Sequence, residues 1–210
     1  AEMLARGVAQ DGVALTARLS AEQRQNYSRA MASVGLPVAN FERFEPWMPA
    51  MMLSVLPLIR RGYSAQAGVD HMLQARAATA HKAMSALENV SMQLGVFDGL
   101  TLEDQIQFLD SVSKEALTVD DSMAPMTAAW LRGDVAALSS MIMAPSEGTP
   151  PELNEALLFH RNENWAQWAD MRLNEPGGKF FVAVGAAHLA GPRGVPALLE
   201  AQGWTVTRVE

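Results

Sequence analysis

The segment 179–194 constrains the fold of this chain more than any other, because an uncharged apolar run ends abruptly in glycines and a histidine. Residues 180–184 are rich in aromatic and β-branched side chains and have glycines on both sides. These properties predict a short strand that is buried on both faces. A helix over 195–202 and a second strand over 205–209 follow, which predicts a strand–helix–strand unit.

His188 lies in the loop between the first of these strands and the helix. The crossover in such a unit is right-handed and its strands are parallel, so the loop should lie at the carboxyl edge of the sheet, where ligands bind. An imidazole there can bind a metal or act as a general base, and Gly185 and Gly191 would let backbone approach a bound group. A histidine that only caps the helix or satisfies a loop carbonyl is the simpler interpretation, which spacing alone favours.

Glu88 is a second candidate site residue. The preceding segment 83–87 predicts a short strand, which would join 180–184 and 205–209 in a small mixed sheet surrounded by helices. Glu88 would then follow a strand as His188 does, and the two side chains would face one cleft, as metal ligands or as acid and base. A charge in the first turn of a helix explains Glu88 equally simply. We therefore expect a helix-rich α/β fold, α+β by content.

Most of the remaining chain predicts helices. Capping-box patterns begin at Ser20 and Thr101, and the second precedes apolar residues at helical spacing. Helices are also expected over 64–78, 122–131, 134–143 and 151–173. The apolar run 46–59 contains three prolines and is too short to span a membrane, so it predicts a buried helix anchored by Trp47. A lid lined by Met48, Met51 and Met52 is the less favoured alternative.

Arg161 and Asn162 lie within the predicted helix 151–173. The arginine could pair with Glu88 or Asp70, or stabilise an anionic intermediate, although a solvated arginine is as good an interpretation of the residues alone. Asp70 could also cap a helix. The other three histidines show no metal-binding spacing, which favours surface or packing roles; they are His71, His81 and His160.

Composition limits the classes of partner. The net charge of −7 and the absence of a basic run argue against nucleic acid and anionic membranes as main partners. Because the chain has no cysteine, disulfides, thiolate metal sites and a cysteine nucleophile are excluded. No charged-then-apolar leader opens the sequence, so the residues alone leave the compartment open. An apolar content of 49% is compatible with a surface that a homodimer would cover or, more simply, with a large helical core.

Several short motifs occur in a fixed order along most of the chain. They are Glu45-Pro-Trp, Gly68-Val-Asp, Leu87-Glu with Gln93, Trp130-Leu-Arg-Gly-Asp, Arg161-Asn with Trp165, and Gly185-Ala-Ala-His-Leu-Ala-Gly. Each is weak alone, but the ordered series resembles the TraB/GumN family, whose relatives include the Tiki metalloproteases. On this resemblance, residues 1–210 form a single TraB/GumN-like domain.

The resemblance implies a metal-dependent hydrolase that acts on peptide bonds in a peptide or protein substrate. It assigns a divalent metal to His188 and Glu88, catalysis to these two and Arg161, and substrate binding to Asn162, Gly185 and Gly191. It also implies an extracytoplasmic location, periplasmic or secreted.

The sequence departs from the family pattern at its amino end. Members typically open with a strand that ends in a first Gly-x-x-His motif, followed by a strand with an acidic residue, and neither is present. We therefore expect an amino-terminal portion, with half of the metal site, to be absent from this chain, which would leave it inactive. The alternatives are a non-catalytic binding protein for a peptide, or for haem held by His188 and a methionine, and a helical assembly partner that uses the same cleft.

Overall fold

Helices form nearly all the regular structure in the computed structural model, which describes residues 2–143, without the side chain of Met143, and residues 151–209. The α-helices are α1 Glu2–Gly7, α2 Ala21–Ser33, α3 Trp47–Arg60, α4 Val69–Thr79, α5 Val90–Asp98, α6 Leu102–Leu131, α7 Val135–Met143, α8 Pro151–Asn154, α9 His160–Asn174 and α10 Val195–Ala201. Short 3₁₀ helices cover Leu15–Arg18, Val38–Phe41, Ala65–Ala67 and Ala186–Leu189, and a π-helical turn covers Glu155–Phe159.

The chain forms two compact units. The first contains the described residues up to Ser122 together with 151–153, and the second contains 123–143 and 154–209. Helix α6 runs through the boundary and consists of two helical segments joined at Thr118, whose φ of −121° and ψ of 16° are not helical.

The first unit is built around stacked aromatic rings. Trp47 of α3 is fully buried and stacks on Phe97 of α5, with ring centroids 6.4 Å apart. Phe97 in turn stacks on Phe108 of α6 at 5.7 Å. Tyr27 and Met31 of α2 are also fully buried. The predicted role of Trp47 as a packing anchor is therefore confirmed.

The predicted helix starts are largely confirmed. Ser20 forms a complete capping box with Gln23 at the start of α2, and the Thr101 hydroxyl accepts the Asp104 N–H at 3.2 Å before α6. These side chains satisfy backbone donors that the first helical turn leaves without partners. No helix in the described part of the chain is long and apolar enough to cross a membrane.

The second unit pairs two helices with the loop that follows the apolar run. Helix α9 packs against α10, and the 3₁₀ helix Ala186–Leu189 lies against α7, α10 and the π-helical turn. Trp204 donates from its indole nitrogen to a carboxylate oxygen of Asp170 at 2.9 Å, which joins the segment after α10 to α9. The loop that carries His188 is thereby held among helices.

The predicted mixed sheet is wrong. Residues 83–87, 180–184 and 205–209 form no strand, and the β-structure in the described residues is a single antiparallel bridge between Val8 and Phe44. Phe181 is 80% exposed and Val209 is 87% exposed, so the side chains expected inside a sheet lie at the surface. A strand is stable only when neighbouring strands satisfy its backbone groups, and β-rich composition cannot supply them. The fold is helix-rich, without the α/β sheet.

Candidate functional site

His188 is the buried centre of the candidate site in the second unit. It lies in the 3₁₀ helix that begins after Gly185, its N–H donates to the Gly185 carbonyl at 2.9 Å, and only 7% of the residue is exposed. Its ring packs against α9, where the ring of Trp165 lies 4.4 Å away between centroids. A buried polar ring requires hydrogen-bond partners, so its neighbours determine its chemistry.

Asn162 of α9 fixes the protonation pattern of this ring. It is 1% exposed, its amide nitrogen donates to the Arg193 carbonyl at 2.8 Å, and its amide oxygen lies 2.6 Å from His188 Nδ1. Because that oxygen can only accept, Nδ1 must carry a hydrogen and donate it. In the neutral ring the lone pair is then on Nε2, which makes that nitrogen the acceptor of the ring.

Arg161 brings a positive charge to the same aromatic ring. Its guanidinium carbon lies 4.9 Å from the Trp165 ring centroid, and one of its terminal nitrogens donates to the Leu157 carbonyl at 2.8 Å. A cation over an indole face is attracted by the ring's quadrupole. Imidazole and guanidinium are therefore held by one tryptophan, and the structure brings together the predicted residues Arg161, Asn162 and His188.

Arg193 forms an ion-pair cluster beside the histidine. Its guanidinium donates to Glu155 at 2.6 Å and to Glu163 at 2.8 Å, and it lies 4.1 Å from the Phe159 ring centroid. These hydrogen bonds raise the pKa of Arg193 and, with the same arginine as the main cause, lower the pKa of Glu155. The cluster joins the loop after His188 to Glu155, at the start of the π-helical turn, and to Glu163, in the first turn of α9.

A π-helical turn, Glu155–Phe159, leads into the residues of the site. Such a turn contains an additional residue relative to an α-helical turn and occurs frequently at functional sites. Glu155 at the start of this turn reaches Arg193, and Asn162 in the helix after the turn reaches His188.

Sequence reasoning missed this ion-pair cluster. Arg193 lies in the loop stretch 191–194, and Glu155 and Glu163 lie in the predicted helix 151–173, so no motif connects the three residues. Their spacing of eight residues places them on one face of a regular helix, a weak signal that would have suggested a shared partner. The π turn within that interval made the partner impossible to identify from spacing alone.

The glycines of the loop differ in their backbone conformation and in the space available for a side chain. Gly191 has a φ of +75°, a conformation that favours glycine, and a Cβ there would lie 3.5 Å from the Ser139 hydroxyl. Gly185 has an ordinary φ of −58°, and a Cβ there would lie 3.7 Å from the His188 ring. A Cβ at Gly194 would meet the Ala190 carbonyl oxygen at 2.7 Å, so close backbone packing requires this third glycine. Substrate binding by Gly185 and Gly191 stays a prediction.

Glu88 lies in the first unit, in a bend before α5, and is half-buried. The expected convergence of Glu88 and His188 rested on two strand ends, and neither strand exists. Asp70 lies in the first turn of α4. Without these strands, there is no structural reason to expect Glu88 beside His188. The role of Glu88 as a metal ligand stays a prediction.

The other histidines are exposed. His71 lies on α4, His81 has a φ of 51° in the turn after it, and His160 lies 3.8 Å from a Glu155 oxygen. Among the described residues, no three His, Asp or Glu side chains are grouped so that they could hold a metal ion. Since a catalytic metal needs about three protein ligands, this donor set does not fit a complete metal site.

Comparison with known proteins agrees with the motifs. A sequence profile of the TraB/PrgY/gumN family matches residues 1–208. The Escherichia coli (strain K12) protein named "Uncharacterized protein YbaP" is 29% identical over 187 residues, which are 89% of this chain and 68% of that protein. The YbaP protein of Shigella flexneri matches with the same identity and coverage. No solved structure matches the chain. The chain belongs to the TraB/PrgY/gumN family.

Proposed function

We propose that this family member is a hydrolase of peptide bonds in which His188 is the basic group. The observation that carries the proposal is the hydrogen bond of 2.6 Å between His188 Nδ1 and the Asn162 amide oxygen. It places the lone pair of the neutral imidazole on Nε2, and a base must present a lone pair to the proton that it accepts. A buried histidine with one fixed tautomer is suited to this role.

The remaining residues have supporting roles in this proposal. His188 Nε2 accepts a proton from water as that water attacks the substrate carbonyl, and the guanidinium of Arg161 stabilises the oxyanion that forms. The imidazolium then donates that proton to the amine nitrogen, which leaves as the C–N bond breaks and the carbonyl re-forms. Asn162 is a positioning residue because it acts through the imidazole. Gly191 supplies the positive φ that the loop backbone adopts after the 3₁₀ helix Ala186–Leu189.

Metal dependence is part of the proposal by family resemblance. His188 Nε2 is the one ligand that the described residues support, and Glu88 is the second residue assigned on resemblance. Since no group of three donors occurs in the described residues, further ligands would come from elsewhere in the polypeptide or from another chain.

The experiment measures cleavage of a fluorogenic peptide library with and without added Zn²⁺, Mn²⁺ or Co²⁺, and after chelation. The variants are His188→Ala, Asn162→Leu and the control Asn164→Leu, which changes an exposed residue on the same helix. We expect His188→Ala to lower kcat about 10²- to 10⁴-fold. Asn162→Leu should shift the pH at which the rate rises, whereas Asn164→Leu should change neither rate nor profile. Cleavage that is unaffected by His188→Ala would contradict the assignment.

The second candidate is a non-catalytic binding protein that uses the cluster of His188, Trp165 and Arg161, rather than a metal, to hold a peptide. It predicts saturable peptide binding without turnover under every metal condition, and binding that weakens in His188→Ala. A Soret band on adding haem would identify the haem-binding form of this candidate. The location outside the cytoplasm and the homodimer are also proposals, tested by fractionation of cells and by sedimentation over a range of protein concentrations.

A further inference from the structure

A cleft in the first unit has the features of a separate binding site. Its volume is about 470 Å³, and it lies between the amino-terminal segment, Glu45 ahead of α3, the end of α5 and the start of α6. The charged and amide side chains that line it are Arg6, Asp11, Arg18, Glu45, Asp98 and Gln105. His188 belongs to the other unit, so this cleft is no part of the site described above.

Both arginines in the cleft are already paired. Arg6 donates to Ser91 at 2.8 Å and forms ion pairs with Glu2 at 3.2 Å and with Asp98 at 3.5 Å. Arg18 is held by Asp11, and the Val13 N–H and then this arginine lower the pKa of that aspartate. These pairs neutralise the positive charges, so neither arginine attracts an anion strongly.

Two acceptors in the cleft have no partner among the described residues. The Glu45 carboxylate is half-buried and forms no hydrogen bond or ion pair there. Gln105 is 6% exposed, its amide nitrogen donates to the Leu100 carbonyl at 3.1 Å, and its amide oxygen is buried without a hydrogen bond. A buried acceptor without a partner costs about 1–3 kcal/mol, so a donor supplied by a ligand would stabilise the site.

We propose that this cleft binds an organic cation with N–H donors, a primary ammonium group, through the Glu45 carboxylate and the Gln105 amide oxygen. An ammonium has three donors and no acceptor, which matches two acceptors of which one is charged. Gln105 lines the cleft beside Glu45, so its amide belongs to the wall that the ammonium would contact. The ammonium belongs either to a small amine or to the amino end of a peptide.

The test follows binding to ¹⁵N-labelled protein by NMR at constant ionic strength. Butylammonium, butyrate and butanol are added separately, and the side-chain amide of Gln105 is the reporter. We expect saturable shifts at Gln105 and its cleft neighbours with butylammonium alone. Equal shifts with butyrate or butanol, or no saturable shift with butylammonium, would overturn the proposal.

The variants Glu45→Gln and Glu22→Gln remove the same charge at different places, since Glu22 is exposed on α2. We expect Glu45→Gln to raise the dissociation constant about tenfold or more, because the hydrogen bond to the ammonium loses the negative charge of its acceptor, and Glu22→Gln to change it less than about twofold. An equal effect of the two would show attraction to net charge alone and would refute the site. If Glu45→Gln does not fold, Glu45→Asp replaces it and should weaken binding while retaining selectivity for the cation.

Trialanine amide, with and without an acetyl group on its amino end, identifies the source of the ammonium. Shifts with the free amino end that disappear on acetylation identify a peptide terminus. Shifts with butylammonium but with neither form of trialanine amide identify a small amine. The readout is binding in the first unit, so its failure leaves the hydrolase proposal untouched.

Discussion

Replacing Asn162 with leucine should destabilise the second unit and release the tautomer of His188. Leucine has nearly the same shape but neither donates nor accepts. The buried His188 Nδ1–H would lose its acceptor, at a cost of about 1–3 kcal/mol, and the part-buried Arg193 carbonyl would lose its donor, at about 0.5–1.5 kcal/mol. We expect the free energy of unfolding to fall by about 1.5–4.5 kcal/mol in total.

Urea unfolding followed by circular dichroism measures this cost, and Asn164→Leu on the same helix should stay within about 0.5 kcal/mol of the parent. Long-range ¹H–¹⁵N spectra of the imidazole ring measure the tautomer. The parent protein should show hydrogen on Nδ1, and Asn162→Leu should show a mixture. Hydrogen on Nε2 in the parent, or equal stability of the two leucine variants, would refute the reasoning.

Three further predictions concern other features of the fold. Burial raises the pKa of Tyr27 above its usual value of 10.0. The contribution of the protonated tyrosine to the free energy of unfolding should therefore be fully present below pH 10.0 and decrease as the pH rises above it. Its hydroxyl has no hydrogen bond in the described residues, so Tyr27→Phe should raise the free energy of unfolding by about 1 kcal/mol and weaken this alkaline loss in urea titrations. The hydrogen bond from Arg193 lowers the pKa of Glu155, so the stabilisation that this ion pair provides should be present above pH 4.5 and disappear as the pH falls further. The difference in free energy of unfolding between the parent and Glu155→Gln should become smaller over the same pH range. Gly191→Ala should cost about 1 kcal/mol in thermal unfolding because of its positive φ, whereas Gly185→Ala should be nearly neutral.

The helices could be predicted because their information is local. The Ser20 and Thr101 patterns satisfy backbone donors within one turn, and the apolar spacing after Thr101 repeats along a single face. The strands could not be predicted with the same certainty, since residues 180–184 have strand-like composition but need partners at other positions in the chain. Glu88 entered the site through that same inference and lost its structural support with the sheet.

The candidate site was predictable to the extent that its residues lie in short motifs. Arg161, Asn162 and His188 were all singled out, and the structure places them together around Trp165. The hydrogen bond that fixes the tautomer depends on tertiary packing across 26 residues of sequence, so no local pattern contains it. The same is true of the ion pairs of Arg193, whose partners are separated from it by 38 and 30 residues.

The π-helical turn Glu155–Phe159 also has a consequence for how this segment tolerates changes in length. Deleting one residue within the turn would convert it to an ordinary α-helical turn, with a continuous helix from Pro151 to the end of α9. Because the turn holds one residue more than an α-helical turn, this deletion would leave the residues on either side of it in nearly the same register, and Asn162 would keep its place beside His188. A deletion within the regular part of α9 would instead rotate the residues before it by about 100° relative to those after it. The turn is therefore the place in this segment where the chain can change length by one residue while α9 keeps its contact with the loop that carries His188.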